Sequence, residues 1–207
     1  MSNYNDASNV GVGMPDVDGA IFVAPAGTAV PTAAELLGDL GSSFKAFGYV
    51  STDGVTVSED GETKELTAWG GKTIKVIQTS FKETATFTPI EINETVLKEQ
   101  YGEGNVATSE VKTSDGKAYK VIESKHKGAT LPSKVLVIKT CPTDDMVVVY
   151  VAQNAQLTER GDLALDGENA QGRQMTYTCN ADSDGNTMVS YTFKLTAATD
   201  ASATAGE

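Results

Sequence analysis

The chain is short of most of what metal, thiol or phosphate chemistry requires. Its 207 residues hold one histidine, His126, two cysteines, Cys141 and Cys179, and two arginines, Arg160 and Arg173. One histidine and two distant cysteines cannot build a tetrahedral zinc set. Without CxxC spacing the cysteines are expected to be reduced and buried, not bridged. Acids outnumber bases, 28 to 16, for a net charge of −12, so the clustered cations that grip a phosphate backbone are missing. Long apolar runs are missing too. The longest, 146–152, falls far short of the roughly 20 residues a membrane helix needs, so no membrane partner is expected. The N-terminal MSNYNDASNVG has neither the basic flank nor the apolar stretch of a secretory signal, and folding in the cytoplasm is expected.

Partial catalytic and binding motifs fail on inspection. Gly71-Lys72-Thr73 resembles the end of a phosphate-binding loop, but the glycine needed five residues earlier is Leu66 and a β-patterned run follows where a helix is required. Asn180, Asp182, Asp184 and Gly185 imitate the start of a calcium loop; the bidentate glutamate of its twelfth place is Tyr191. His126 stands between Lys125 and Lys127, as in a solvated loop, and no Gly-x-Ser-x-Gly elbow accompanies it. Carboxylate pairs are unavoidable among 28 acids and argue nothing. The expectation is a non-enzyme without metal or cofactor.

What the chain has in plenty is period-2 alternation, the mark of half-buried strands. Met175, Tyr177 and Cys179 share one face, with Gln174, Thr176, Thr178 and Asn180 on the other. Val189, Tyr191, Phe193 and Leu195 alternate in the same way with Ser190, Thr192, Lys194 and Thr196. The turn-forming cluster 182–186 between these runs predicts a β-hairpin. A second pair of strands is predicted at 73–79 and 81–89, where Phe81, Ala85 and Phe87 alternate with Lys82, Thr84, Thr86 and Thr88. A face of threonine and lysine suits a solvated inner wall as well as an outer surface. The run 146–152 is apolar on both faces and should be covered on both sides. Shorter strands are predicted at 20–24, 46–51, 119–123 and 134–139.

One helix interrupts the strands. Asn93 can cap it, Glu94 suits its positive end and Gly102 stops it. Ile92 and Leu97 hold the staple positions, and Val96, Leu97 and Tyr101 form the buried stripe. A shorter helical piece is predicted at 32–40. Three segments read as outside the core: a flexible N-terminal arm at 1–19, a long mobile loop at 52–72 inside the 20–196 domain, and a low-complexity tail at 197–207. Trp69, in the loop, reads equally as an edge-of-core aromatic or an exposed interface anchor.

The run GAIFVAPAGTAVPTAAELL followed by FKAFGYVSTDGVT resembles the opening of siphophage major tail (tail tube) proteins. The resemblance continues in order through KELTAWGG, FTPIE, YGEGNV, LTERG and 176–187, covering 14 to about 193, with 112–140 fitting only loosely. It implies a mainly β fold of two packed sheets, a sandwich or partial barrel flanked by one helix. It also implies a structural virion part that works through copies of itself. Six copies would form a ring, and rings would stack into a tube for genome ejection. The partners implied are tape measure, terminator and tail-tip proteins, with double-stranded DNA passing unbound. Under this reading Asp53, Glu59, Asp60, Glu62, Lys64, Glu65 and Trp69 form a ring-stacking loop. Lys82, Thr84, Thr86, Thr88, Gln174, Thr176 and Thr178 are candidates for the lumen wall. The alternatives are another β-rich virion part (terminator or head decoration), which would not polymerise into long tubes, a monomeric immunoglobulin-like module, and a hydrolase gathering His126 with a serine and an acid.

Overall fold

The computed structural model describes residues 6, 9–16, 19–143 and 145–195, and the fold is mainly β. In chain order the elements are β1 (Ile21–Pro25), α1 (Ala33–Leu37), β2 (Lys45–Ala46), β3 (Val50–Thr67), β4 (Thr73–Pro89) and α2 (Glu94–Tyr101). They continue with β5 (Val106–Lys112), β6 (Ala118–Ser124), β7 (Lys134–Thr143), β8 (Met146–Leu163), β9 (Arg173–Cys179) and β10 (Val189–Lys194). Eight strands make one antiparallel sheet in the order β2-β1-β7-β8-β9-β4-β3, with β10 on β8; β5 and β6 make a small second sheet. The large sheet does not close into a barrel.

Apolar residues cover part of both faces of the large sheet. On one side Ile21, Val23, Leu136, Ile138, Phe87, Met175 and Tyr177 pack with Phe47 and with Val96 of α2. Phe87 and Tyr177 stack in parallel at 5.8 Å, and Phe47 meets Phe87 edge-on at 5.1 Å. On the other side Val135, Val137, Val149 and Val151 lie with Leu36 of α1. The doubly apolar run 146–152 thus sits where the sheet is covered on both faces. A capping box between Thr32 and Glu35 starts α1, shorter than the predicted 32–40.

Two sequence expectations are corrected. The segment 52–72 is not a loop, because β3 runs on to Thr67 in register with β4, and only 68–72 turn back. Neither side of its outer half is buried, so the sequence carries no alternation; backbone pairing with β4 makes the strand. Nor do the runs at 175–179 and 189–195 form a hairpin. β9 pairs with 155–163 of β8 and β10 with 146–151, so they lie end to end along one edge of that long strand. The 182–186 cluster turns locally: the Asp182 carboxylate accepts the N–H groups of Asp184 and Asn186, both at 2.9 Å. The chain then resumes its former direction.

Candidate assembly surface

β9 reaches β4 only at Glu83–Phe87 in the register (Glu83 to Cys179, Phe87 to Met175). Beyond that point β3 and β4 pair with each other alone. The result is a two-stranded ribbon, residues 60–82, projecting from the sheet with Trp69 fully exposed at its turn. Of the two readings of Trp69, the core position is overturned. Glu59, Asp60, Glu62, Lys64 and Glu65 lie along β3 of this ribbon, whereas Asp53 lies back at the register shift between Val50 and Val55. Among the described residues Glu59, Asp60, Glu62, Lys64, Lys72, Lys75 and Lys82 form no ion pair.

The threonine candidates come together on one face. Directly opposed residues of an antiparallel pair share a side, and the register sets Thr84 against Thr178 and Thr86 against Thr176, opposite in sense to the core residues Ala85, Phe87, Met175 and Tyr177. Thr88 and Gln174 follow the same alternation, and Lys82 continues it onto the ribbon. Thr86 Oγ1 donates to Thr176 Oγ1 at 3.1 Å, and Thr158 and Thr178 hydroxyls meet at 2.9 Å. These two hydroxyl pairs tie neighbouring strands together, and the threonine wall is half open to solvent, with the exposed Glu159 opposite Thr176 at its border.

Opposite this wall, α2 is fastened to the sheet by a buried ionic cluster that sequence reasoning missed. Lys134 lies 3.1 Å from Glu99 and 2.8 Å from Glu103, and the Tyr177 hydroxyl donates to Glu99 at 3.3 Å. Burial pushes the Glu99 carboxyl above its ordinary value despite the nearby ammonium. Hydrogen bonding to Lys134 holds Glu103 below it. Burial pulls the Lys134 ammonium down, but its bonds to Glu103 and Glu99 outweigh this and leave it raised. The only advance signal was Glu99 lying three residues from Val96, on the same face of the helix.

The inward stripe of α2 is Val96, Glu99, Gln100 and Tyr101. Leu97 is only half-buried and Ile92 is exposed. The staple is therefore not closed, since the i, i+3, i+4 stripe from Val96 leaves Leu97 on the flank. Asn93 caps the helix as expected, its side chain accepting from the Val96 N–H at 2.9 Å. Arg160 donates to the Gln100 carbonyl at 2.7 Å, and Arg173 reaches the Tyr101 hydroxyl at 3.3 Å. His126 stacks on Tyr101 with ring centres 4.0 Å apart, a packing role.

Among the described residues no group of three or more His, Cys, Asp or Glu could hold a metal ion, and no helix is long and apolar enough to cross a membrane. Burial, with Glu83 nearby, pushes the Cys179 thiol up to about 12, which makes it unreactive. Of the sequence segments set apart from the core, the tail at 197–207 and part of the arm at 1–19 lie outside the described residues. A family model described as phage tail tube protein matches residues 11–204. No curated protein matches the chain.

Proposed function

The chain belongs to the phage tail tube protein family, and from that premise we propose that its copies close into rings, that the rings stack, and that double-stranded DNA leaves the virion through the channel. The family places the chain in the virion tail as a structural protein. The finer reading is six copies to a ring, meeting in the host cytoplasm and ending against tape measure, terminator and tail-tip proteins.

The observation that carries ring closure is unpaired sheet margin. Among the described residues the outer edge of β3 over 50–59 and the outer edge of β10 have no strand beside them. Open edges are templates for another chain, and a head-to-tail contact closed by rotation would join one such edge to the other around a ring. For stacking, the support is the 60–82 ribbon, whose length and exposed Trp69 serve no contact within one copy. For the channel wall, it is the threonine face formed by Thr84, Thr86, Thr88, Gln174, Thr176 and Thr178. Neutral hydroxyls offer DNA phosphates no fixed cation to exchange for their counterions.

The test is electron microscopy of the purified protein, intact and with 60–82 replaced by a two-residue turn. Intact protein should give long tubes of constant bore. The shortened protein should stop at isolated rings. Long tubes from the shortened protein would end the stacking reading, and single copies at high concentration from the intact protein would end the ring reading.

A further inference from the structure

Strands joined edge to edge around a ring tilt, but they run from one rim to the other. Whatever leaves a copy at one end of its strands therefore meets the next ring, and a repeated stack offers it the opposite end of an identical copy. The 60–82 ribbon continues β3 and β4 at one end. At the other end four neighbouring strands stop together. The register sets Val50, where β3 begins, against Pro89, where β4 ends, and Leu163, where β8 ends, against Arg173, where β9 begins. Gly172 closes this row: a Cβ there would come within 2.8 Å of Thr88 and 3.1 Å of Ile90. The Tyr49 carbonyl accepts the Ile90 N–H at 2.9 Å on its other side.

These strand ends leave apolar side chains uncovered within one copy: Tyr49, Ile92 and Leu165 are 77, 61 and 74 % exposed. They are also acidic. The segments 47–55, 88–93 and 161–172 hold Asp53, Glu91, Asp162, Asp166 and Glu168 and no lysine or arginine. Glu91 is engaged by the Tyr49 N–H and the Asn93 amide, but Asp162, Asp166 and Glu168 are exposed and form no ion pair among the described residues. Asp166 accepts the N–H groups of Glu168 and Asn169, which hold its carboxyl below the ordinary value and so keep it charged. The two bases that follow in sequence are turned away, Arg160 to the Gln100 carbonyl and Arg173 to the Tyr101 hydroxyl. The ribbon end is the converse. Residues 63–77 hold Lys64, Lys72 and Lys75 against Glu65 alone. Lys64 stands opposite Ile77 and Leu66 opposite Lys75, so one face of the outer ribbon presents two lysines, two aliphatic side chains and no carboxylate. Glu65 lies on the other face, opposite Val76, and accepts the Thr73 hydroxyl at 2.9 Å.

We propose that the ribbon end of one copy docks on the far strand ends of a copy in the next ring, with Trp69 and Leu66 against Tyr49, Ile92 and Leu165 and the ribbon lysines among Asp162, Asp166 and Glu168. This assignment rests on the reading of 60–82 as an arm between stacked rings and names the surface it grips. Trp69 supplies the large apolar anchor on which such contacts depend, and the charges lie round it as a rim. Charge also sets polarity. Ribbon end against ribbon end, or strand end against strand end, would bring like charges face to face, so rings add in one orientation only.

The test is disulfide trapping between copies of the full chain in a Cys141→Ser background. Ala68→Cys copies, which keep Trp69, are mixed with Ala164→Cys copies, which keep both leucines, then assembled, oxidised and run without reductant. A dimer band about ten-fold stronger than from either variant alone, or from Ala68→Cys mixed with Val111→Cys on β5, is expected. Tubes that form normally without that excess would overturn the acceptor assignment and leave the arm reading standing. Long tubes from protein lacking 60–82 would instead overturn the arm reading and the assignment with it. Should the cysteine copies not assemble, charge reversal decides. Lys72→Glu with Lys75→Glu should slow tube growth about ten-fold, and adding Asp162→Lys with Glu168→Lys should return it to within about three-fold. A fully reversed chain no better than the lysine variant overturns the assignment.

Discussion

Lys134 is the centre of the ionic cluster that joins the helix to the sheet. Lys134 is buried between Glu99 and Glu103, and Glu99 in turn receives the Tyr177 hydroxyl. Removing one partner of a buried pair strands the other, at a cost of about 3–5 kcal/mol, which exceeds what the intact pair contributes. Lys134→Met should therefore lower stability by about that amount in urea unfolding, and adding Glu99→Gln should recover part of it. The pH dependence has three signs. Glu103 is depressed, so its contribution is present above the ordinary carboxyl value and is lost as pH falls through its lowered one. Lys134 is raised, so its contribution holds below the ordinary amine value and is lost as pH climbs through its raised one. Glu99 is raised, so its contribution is present below the ordinary carboxyl value and is lost as pH rises through its raised value, opposing Glu103 over the acid range. In Glu103→Gln the acid-side loss should shrink, which unfolding midpoints from pH 3 to 7 can read. Gly48 is equally constrained: at φ +83°, a Cβ there would lie 2.2 Å from the Glu91 carboxyl carbon. That carboxylate accepts the Tyr49 N–H at 2.8 Å and the Asn93 amide at 3.1 Å. Gly48→Ala should cost more than the roughly 1 kcal/mol of the backbone conformation alone, because it also evicts Glu91.

At the scale of elements, what could be read in the sequence depended on burial. β9, β10 and the inner half of β4 have one more buried and one wetter face, so their alternation marked them and set the threonines of each strand opposite its apolar residues; that β4 and β9 share one threonine face came only with their register. The α2 boundaries were readable because caps are local: Asn93 and Gly102 act within one turn. Pairing was not readable, since alternation gives a strand its faces but not its neighbours. A turn-rich spacer between two strands looks alike whether the chain doubles back or, as at 180–188, merely steps aside along β8. The ribbon escaped for the opposite reason. With neither face of its outer half buried, 60–67 follows no hydrophobic period, and its glycines and charges look like loop. The same fact makes it dispensable for folding. Because 60–82 touches the body only through its own base, its removal should shift the thermal midpoint of the single copy by less than roughly 4 °C, the equivalent of about 1 kcal/mol. A larger fall in calorimetry would mean that the ribbon braces the sheet.

At the scale of the whole molecule, −12 on each copy is less informative than where the charges lie. At physiological salt a charge is felt over about 8 Å, so a DNA duplex in a channel senses the wall beside it and little of the outer surface. The threonine face of β4 and β9 carries Lys82 at one end and no other fixed cation, Arg173 being turned to the α2 side of the sheet at Tyr101, and the nearest carboxylate is Glu159, opposite Thr176 on β8. If this face lines the channel, its shortage of fixed cations governs the speed of transit. Two lysines placed there, Thr84→Lys and Gln174→Lys, would put several new cations in every ring, repeated along the whole tube. Each phosphate so contacted releases counterions and binds more tightly as salt falls. Particles assembled with this protein should form tails of normal length yet eject DNA more slowly, with the delay growing at low ionic strength. The same two charges placed on the β5–β6 hairpin, as Glu110→Lys and Glu123→Lys, should leave ejection unchanged. Equal ejection kinetics for the two variants at low salt would move the channel wall to another face of the sheet.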